Sequence, residues 1–152
     1  MALPDIWDSK TVQQLQKRVS CVDATTKPLW GKMNAAQMMA HCCIPYEQAL
    51  GIDTNRAPVV MRLMVRLFFK KTLTNELPYK KNMPTSPAFI MPSDTVFIEN
   101  KGRLLSLIGK LGAEGRDAFE GKEQVTLGHL TSDEWNNLLY KHIDHHLRQF
   151  GV

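Results

Sequence analysis

The chain of 152 residues is long enough for one domain with its own hydrophobic core and too short for two. Its contents of 43% hydrophobic and 22% charged residues are ordinary for a globular protein and exclude a disordered or membrane-embedded class. The net charge is +4, but the basic residues are scattered and form no stripe with aromatic residues, which argues against nucleic-acid binding.

Three cysteines, two of them adjacent at Cys42 and Cys43, do not suggest a disulfide framework and favour a reducing compartment. The first residues lack the basic segment followed by an apolar segment that marks a secretory signal. The most apolar stretch, residues 59–69, is short and contains two arginines, so it does not suit a bilayer. We therefore expect a cytoplasmic protein that is not bound to a membrane.

The first half of the chain is expected to form helices, because apolar residues recur at spacings of three and four. The first helix is predicted over residues 9–22. The second is predicted over residues 34–50, where Asn34 and Gln37 make a capping box at its start. Pro45 lies inside this helix and predicts a kink or an early end, since it cannot donate to the carbonyl four residues earlier.

The second half contains a long segment without regular structure between predicted helices. A third helix is predicted over residues 58–74, and residues 77–93 hold four prolines that exclude a regular helix. A fourth helix is predicted over residues 94–111, followed by a turn region that contains Gly112, Gly115, Gly121 and Gly128. The last helix is predicted over residues 131–150, with Thr131 and Glu134 as a capping box at its start. No strand pattern competes, so the sequence predicts an all-α, single-domain helix bundle with one long crossover connection.

The last predicted helix carries the clearest chemical signal, because three of the five histidines lie within it. At about 100° per residue, His142 and His146 flank the apolar face, whereas His145 lies well away from it. That apolar face is set by Trp135, Leu139, Ile143 and Phe150. A His-x-x-x-His pair on one helical face can share a metal ion. A histidine-rich surface end, stabilised by the helix dipole, is the alternative.

A third ligand should come from another helix, and His41 is the candidate. The face of the second helix that holds His41 also carries Gln37 and Gln48 and contains no lysine or arginine. A polar face turned to water usually carries charges, so this one indicates the lining of a partly buried polar site. His41 does not lie on the strongest apolar face, which counts against its inclusion.

Other residues with metal-binding chemistry give weaker signals. His129 precedes the last helix and is expected to be structural. Cys42 and Cys43 lack Cys-x-x-Cys spacing and are expected to pack in the interior, although either could ligate zinc or act as a thiol. Asp144 and Glu47 either orient a ligand histidine or lie on the surface as charges.

The arrangement resembles the DinB/YfiT-like superfamily of metalloenzymes. The resemblance rests on Trp30, on the sequence Gln-Met-Met-Ala-His that ends at His41, and on the signature formed by His142, His146 and Gln149. It covers about residues 9–151. It implies a four-helix bundle with a long crossover, three histidines around zinc or nickel, and often a homodimer. Relatives of this kind include S-transferases and isomerases that use low-molecular-weight thiols.

Three neutral histidines leave an open coordination position, as in catalytic zinc sites. We therefore expect a metal-dependent enzyme that acts on a small molecule, either as a thiol-dependent transferase or as a hydrolase. The rival hypothesis is a non-catalytic binding or dimerisation module with a vestigial metal site. It is kept open because no clear general base accompanies the histidines in the sequence.

Overall fold

The computed structural model describes residues 2–152, which form a mainly α-helical protein. The helices are α1 (Ser9–Cys21), α2 (Ala35–Ala49), α3 (Val59–Phe68), α4 (Lys70–Thr74), α5 (Phe97–Glu114) and α6 (Ser132–Gln149). Two short 3-10 helices span Pro87–Phe89 and Arg116–Phe119. A small antiparallel hairpin joins strand β1 (Glu123–Gln124) to strand β2 (Gly128–His129).

The helix starts follow the capping residues that the sequence predicts. At α2 the Gln37 amide donates to Asn34 Oδ1 over 2.8 Å, and the Asn34 amide donates to Gln37 Oε1 over 3.0 Å. Thr131 and Glu134 make the same reciprocal pair at the start of α6. Each pair satisfies backbone N–H groups that have no partner within the helix. The predicted starts of α2 and α6 are therefore confirmed.

Helix α2 occupies the interior, where it packs against both α5 and α6. Twelve of its 15 residues are buried, including the polar side chains of His41, Glu47 and Gln48. This burial explains why the helix carries so little charge, because an unpaired buried charge is costly. The helix continues through Pro45 to Ala49, so the expected early end is wrong. Packing on both sides compensates for the missing backbone hydrogen bond.

The predicted third helix is divided at Phe69 into α3 and α4. Helix α3 contains no fully buried residue: Arg62, Val65 and Arg66 are partly buried, with Val65 packed against the core, and the other apolar side chains are exposed. Arg66 Nε donates to the Thr126 carbonyl over 2.9 Å. Its guanidinium lies over Gly128, where a Cβ would come within 3.2 Å of Arg66 Cζ. The exposed apolar residues of α3 are Val59, Val60, Met61, Leu63, Met64, Leu67 and Phe68.

Helix α5 begins three residues later than predicted and extends past the predicted end at residue 111. Gly112, expected in a turn, lies inside this helix. A Cβ on Gly112 would lie 2.7 Å from Val12 Cγ2, so glycine at this position allows α1 to approach α5 closely. The turn region expected after residue 111 starts instead at Gly115, and it contains the hairpin. The prediction of no strands is therefore wrong, because strands of two residues are too short to show alternation.

The core lies between α1, α2, α5 and α6. Trp135, Leu139, Ile143 and Phe150 are all buried, which confirms the predicted apolar face of α6. The proline-rich crossover, residues 77–93, contains no α-helix, as predicted, and its one regular element is the 3-10 turn Pro87–Phe89. Within residues 2–152, every helix is too short or too polar to cross a membrane.

Candidate metal centre

Three histidines from two helices meet in the interior. His41 projects from α2, and His142 and His146 project from successive turns of α6, where the spacing of four residues places them on one face. The ring centroids are 4.6 Å apart for His41 and His146, and 4.8 Å apart for each of the other two pairs. One nitrogen from each ring lies within 4.8 Å of the other two. The geometry is that of a candidate site for one metal ion.

The orientation of His41 is set by the crossover. Its Nδ1 lies 2.9 Å from the Phe89 carbonyl oxygen, and the rings of these two residues are in edge contact at 5.7 Å. A carbonyl only accepts, so Nδ1 carries the proton and Nε2 keeps a free electron pair. The side chain of Gln37, one turn earlier on α2, donates through Nε2 to the Met91 carbonyl over 3.0 Å. The hydrogen bonds to the Phe89 and Met91 carbonyls therefore hold the crossover against α2 beside His41.

The orientation of His146 is set by Gln149. Gln149 Nε2 donates to the Trp30 carbonyl over 2.7 Å, so the amide oxygen faces His146 Nδ1 at 2.8 Å. Nδ1 therefore carries the proton, and Nε2 again keeps a free electron pair. Gly31 makes this approach possible: its φ is +81°, and a Cβ there would lie 2.5 Å from Gln149 Nε2.

His142 lacks the hydrogen bond at Nδ1 that His41 and His146 make. Its Nε2 lies 2.9 Å from His41 Nε2, whereas its Nδ1 is buried without a hydrogen-bond partner. Two electron pairs cannot face each other at this distance, so either a shared proton or a cation must lie between the two rings. Imidazole nitrogens on tetrahedral zinc lie about 3.3 Å apart, given Zn–N lengths of about 2.0–2.1 Å. To share one tetrahedral ion, the Nε2 atoms of His41 and His142 would separate slightly, and the nitrogens that lie up to 4.8 Å apart would move closer together. The donor set of three imidazole nitrogens suits a divalent ion.

The electrostatic environment keeps the cluster neutral at pH 7. Burial, together with the neighbouring His41, lowers the pKa of His146 to about 3. Burial also lowers the pKa of His142 well below its ordinary value and lowers the pKa of His41. Metal ions bind the neutral imidazole, so none of the three needs to lose a proton to bind one near neutral pH.

The other two histidines lie outside the cluster. The His145 ring packs against Trp30 and Tyr79, with ring centroids 5.8 Å and 5.9 Å away, and it touches the cluster only through the edge of His146. His129 lies on β2, where its Nδ1 is 2.8 Å from the Gly121 carbonyl. The structure thus brings together His41, His142 and His146, the three residues that the sequence singles out.

The cysteines and carboxylates considered from the sequence are not brought to the cluster. Cys42 and Cys43 are fully buried, and burial raises the pKa of Cys43 to about 12, so both are packing residues. Asp144 accepts from Arg18 over 2.8 Å, and Glu47 forms an ion pair with Arg103. Among the described residues, neither carboxylate contacts a cluster histidine.

Two groups that orient the cluster were missed by the sequence analysis. Gln149 was noted only as part of a signature, although its spacing of three residues from His146 on one helix suggests contact. The Phe89 carbonyl gave no signal, because every residue of the crossover has a carbonyl.

Comparison of the chain with protein-family models, curated proteins and solved structures finds no match.

Proposed function

We propose that the protein is a metal-dependent enzyme of the DinB-like type, with one divalent ion, zinc or nickel, held by His41, His142 and His146. The proposal includes the four-helix bundle topology of that superfamily, since α1, α2, α5 and α6 enclose the core. The observation that supports this proposal most strongly is the state of the three imidazoles. They are buried and neutral, and the hydrogen bonds of His41 and His146 leave Nε2 of each free to bind a metal.

The chemistry of the centre follows from its donor set. Three neutral histidines leave the ion its full positive charge and an open position, where it would supply Lewis-acid activation of a thiol or a water molecule. The chain holds the ligands in place: Phe89 and Gln149 accept from the outer nitrogens of His41 and His146, and such contacts typically tune affinity. The substrate class proposed is a small molecule, with a low-molecular-weight thiol as the co-substrate of a transferase.

A second candidate is a binding or dimerisation module with a vestigial metal site. A specific observation favours it: Glu47 and Asp144, the two carboxylates that the sequence suggests as partners of the histidines, are engaged by Arg103 and Arg18. A hydrolase needs a general base within hydrogen-bond reach of the attacking water. A thiol-transfer reaction depends less on a general base, because metal binding itself lowers the pKa of a thiol.

The metal site is tested with two adjacent variants. His146→Ala removes a proposed ligand and should abolish stoichiometric binding of zinc, whereas His145→Ala should retain about one ion per chain. Elemental analysis after metal loading and gel filtration measures both. The reverse result would make His142 and His145 the metal-binding pair. Retention of the ion by both variants, or no ion in the unchanged protein, would contradict the three-histidine centre.

The enzyme class is tested separately on the loaded protein. A cellular thiol and a soft electrophile should react faster with zinc- or nickel-loaded protein than without it. Chelation should abolish the difference, and His146→Ala should lack it. A stoichiometric ion without metal-dependent turnover of any thiol, ester or amide substrate would favour the binding module.

A further inference from the structure

A cavity of about 400 Å³ opens beside the histidine cluster without including it. Its volume lies within the range of sites for small organic molecules. It is bounded by α6, by the loop before α2 and by the start of the crossover. The residues that give it chemical character are Trp30, Tyr79, Lys81, Lys141, His145 and Arg148.

The walls of the cavity are aromatic. His145 stands between Trp30 and Tyr79, at centroid distances of 5.8 Å and 5.9 Å, with both ring pairs in edge contact. Leu3 and Pro78 add apolar surface. Surfaces of this kind suit a flat apolar group, which can stack on or lie against the ring faces and edges.

The lining of the cavity also carries positive charge, on lysine side chains. Lys81 Nζ lies 4.4 Å from the centre of the Trp30 ring, and Lys141 Nζ lies 4.6 Å from the centre of the Tyr79 ring. Lys141 is only 4% exposed, and its hydrogen bonds go to two neutral acceptors, the Thr72 carbonyl and Asn75 Oδ1. Within residues 2–152, no carboxylate forms an ion pair with either lysine.

The single carboxylate in the lining does not cancel this charge. Asp144 accepts from Arg18 Nη1 over 2.8 Å and lies 3.8 Å from Arg148 Nη1. The negative charge of Asp144 is therefore balanced by Arg18 and Arg148. A buried lysine ammonium without a counter-ion is costly to a folded protein, so a ligand that supplies the missing negative charge gains from it.

We propose that this cavity binds a small molecule with a flat apolar body and a carboxylate or phosphate group, the anion lying between Lys81 and Lys141. The aromatic walls receive the body, and the two lysines receive the charge. The site is separate from the metal centre, since none of the three cluster histidines lines it. Binding therefore requires no metal.

Benzoate and phenyl phosphate serve as probes, and benzamide serves as the neutral control. Titration of metal-free protein, followed by the NMR signals of the His145 ring, should give a Kd of about 1 mM for at least one anion. Benzamide should bind at least tenfold more weakly. Comparison of the two anions identifies the preferred acidic group.

Two neighbouring lysines supply a matched pair of variants. Lys81→Ala should weaken binding of the anion about tenfold, since a charge-assisted contact is lost. Lys80→Ala, also exposed but absent from the lining, should leave it unchanged. Lys141→Met provides a second loss of charge, to be used if its thermal unfolding remains cooperative.

Three results would overturn the proposal: no shift of the His145 signals with either anion at about 10 mM, equal binding of benzamide, or equal effects of the two lysine variants. Binding that survives Lys81→Ala but is lost in His146→Ala would show that the anion binds at the histidine cluster instead. Because the titration uses metal-free protein, its failure would leave the metal proposal standing, and failure of metal binding would leave the cavity proposal standing.

Discussion

At the scale of single residues, Gln149 connects three parts of the site. Its side chain joins the His146 imidazole to the Trp30 carbonyl, and its backbone carbonyl accepts from the Leu29 amide over 2.7 Å. The end of α6 and the loop before α2 are therefore fixed by one residue. The rigid amide also fixes which nitrogen of His146 is free, because only its oxygen can face Nδ1.

Replacement of this amide should weaken metal binding without removing a ligand. Gln149→Ala is expected to lower zinc affinity about 10- to 100-fold, the usual range for the loss of a contact that orients a ligand histidine. Competition with a chromophoric chelator measures the change. Gln149→Glu keeps an acceptor for Nδ1 and should retain more affinity than the alanine variant. Equal affinity of wild type and Gln149→Ala would show that this hydrogen bond does not orient the ligand.

The residues of the site were predictable to different extents. His142 and His146 could be placed together from α6 alone, because helical geometry fixes their relation and the apolar face of the helix points inward. His41 could be proposed only from the lack of charge around it. The carbonyls of Phe89 and Trp30 could not be proposed, since their approach depends on how two irregular segments fold back over the helices.

At the scale of helices, the contact between α1 and α5 depends on glycine. A Cβ at Gly112 would meet Val12 Cγ2 at 2.7 Å, and one at Gly109 would meet the Gln16 side chain at 3.3 Å. Gly112→Ala should therefore reduce the free energy of unfolding by about 1–3 kcal/mol, the usual cost of an overpacked interface. Denaturant unfolding at constant pH measures this change.

Gly102 provides the matched control, because it lies in the same helix and a Cβ there meets no atom within 4 Å. Gly102→Ala should raise the free energy of unfolding by up to about 1 kcal/mol, since alanine favours helix more than glycine does. The double variant Val12→Ala with Gly112→Ala should recover part of the loss. Stabilisation by Gly112→Ala alone would show that the two helices separate easily.

The helices differ in how well the sequence predicted their surroundings. Capping boxes fix the starts of α2 and α6 because the reciprocal hydrogen bonds are local. The apolar character of α3 is equally clear from the sequence, but the structure leaves most of its apolar side chains exposed. Periodicity identifies a face of a helix without identifying what covers it. Contacts of Arg66 with the hairpin, far along the chain, determine the orientation of α3.

At the scale of the whole molecule, the histidine cluster is a junction between distant segments. It joins α2 to α6 directly, and through hydrogen bonds it reaches the loop at Trp30 and the crossover at Phe89. Most of the helices could be predicted from local signals, although the division at Phe69 and the hairpin could not. The position of the crossover over the cluster could not, because proline excludes a helix without determining the path of the chain. Changes in the protonation of the cluster should therefore affect the stability of the whole fold.

The metal-free protein should lose stability as the pH falls below about 6.5. The pKa of His146 is lowered by burial to about 3 in the folded protein, whereas in the unfolded chain it has its ordinary value. Below pH 6.5 the unfolded chain therefore binds a proton that the folded protein does not, and unfolding is favoured. His146 alone should lower the free energy of unfolding by about 2 kcal/mol between pH 7 and pH 5, and His142 acts in the same direction.

The measurement is urea unfolding in the presence of a chelator at pH 7, 6 and 5. Other groups also titrate, so the informative quantity is the difference between wild type and His146→Gln, a variant that keeps a polar side chain but removes the titrating group. The variant should lose about 2 kcal/mol less than wild type over this range. An equal pH dependence of both proteins would mean that His146 has the same pKa in the folded as in the unfolded protein, as a solvated histidine does. The conclusion that the cluster is buried and neutral would then be wrong, and the reason for expecting metal binding at neutral pH would be lost.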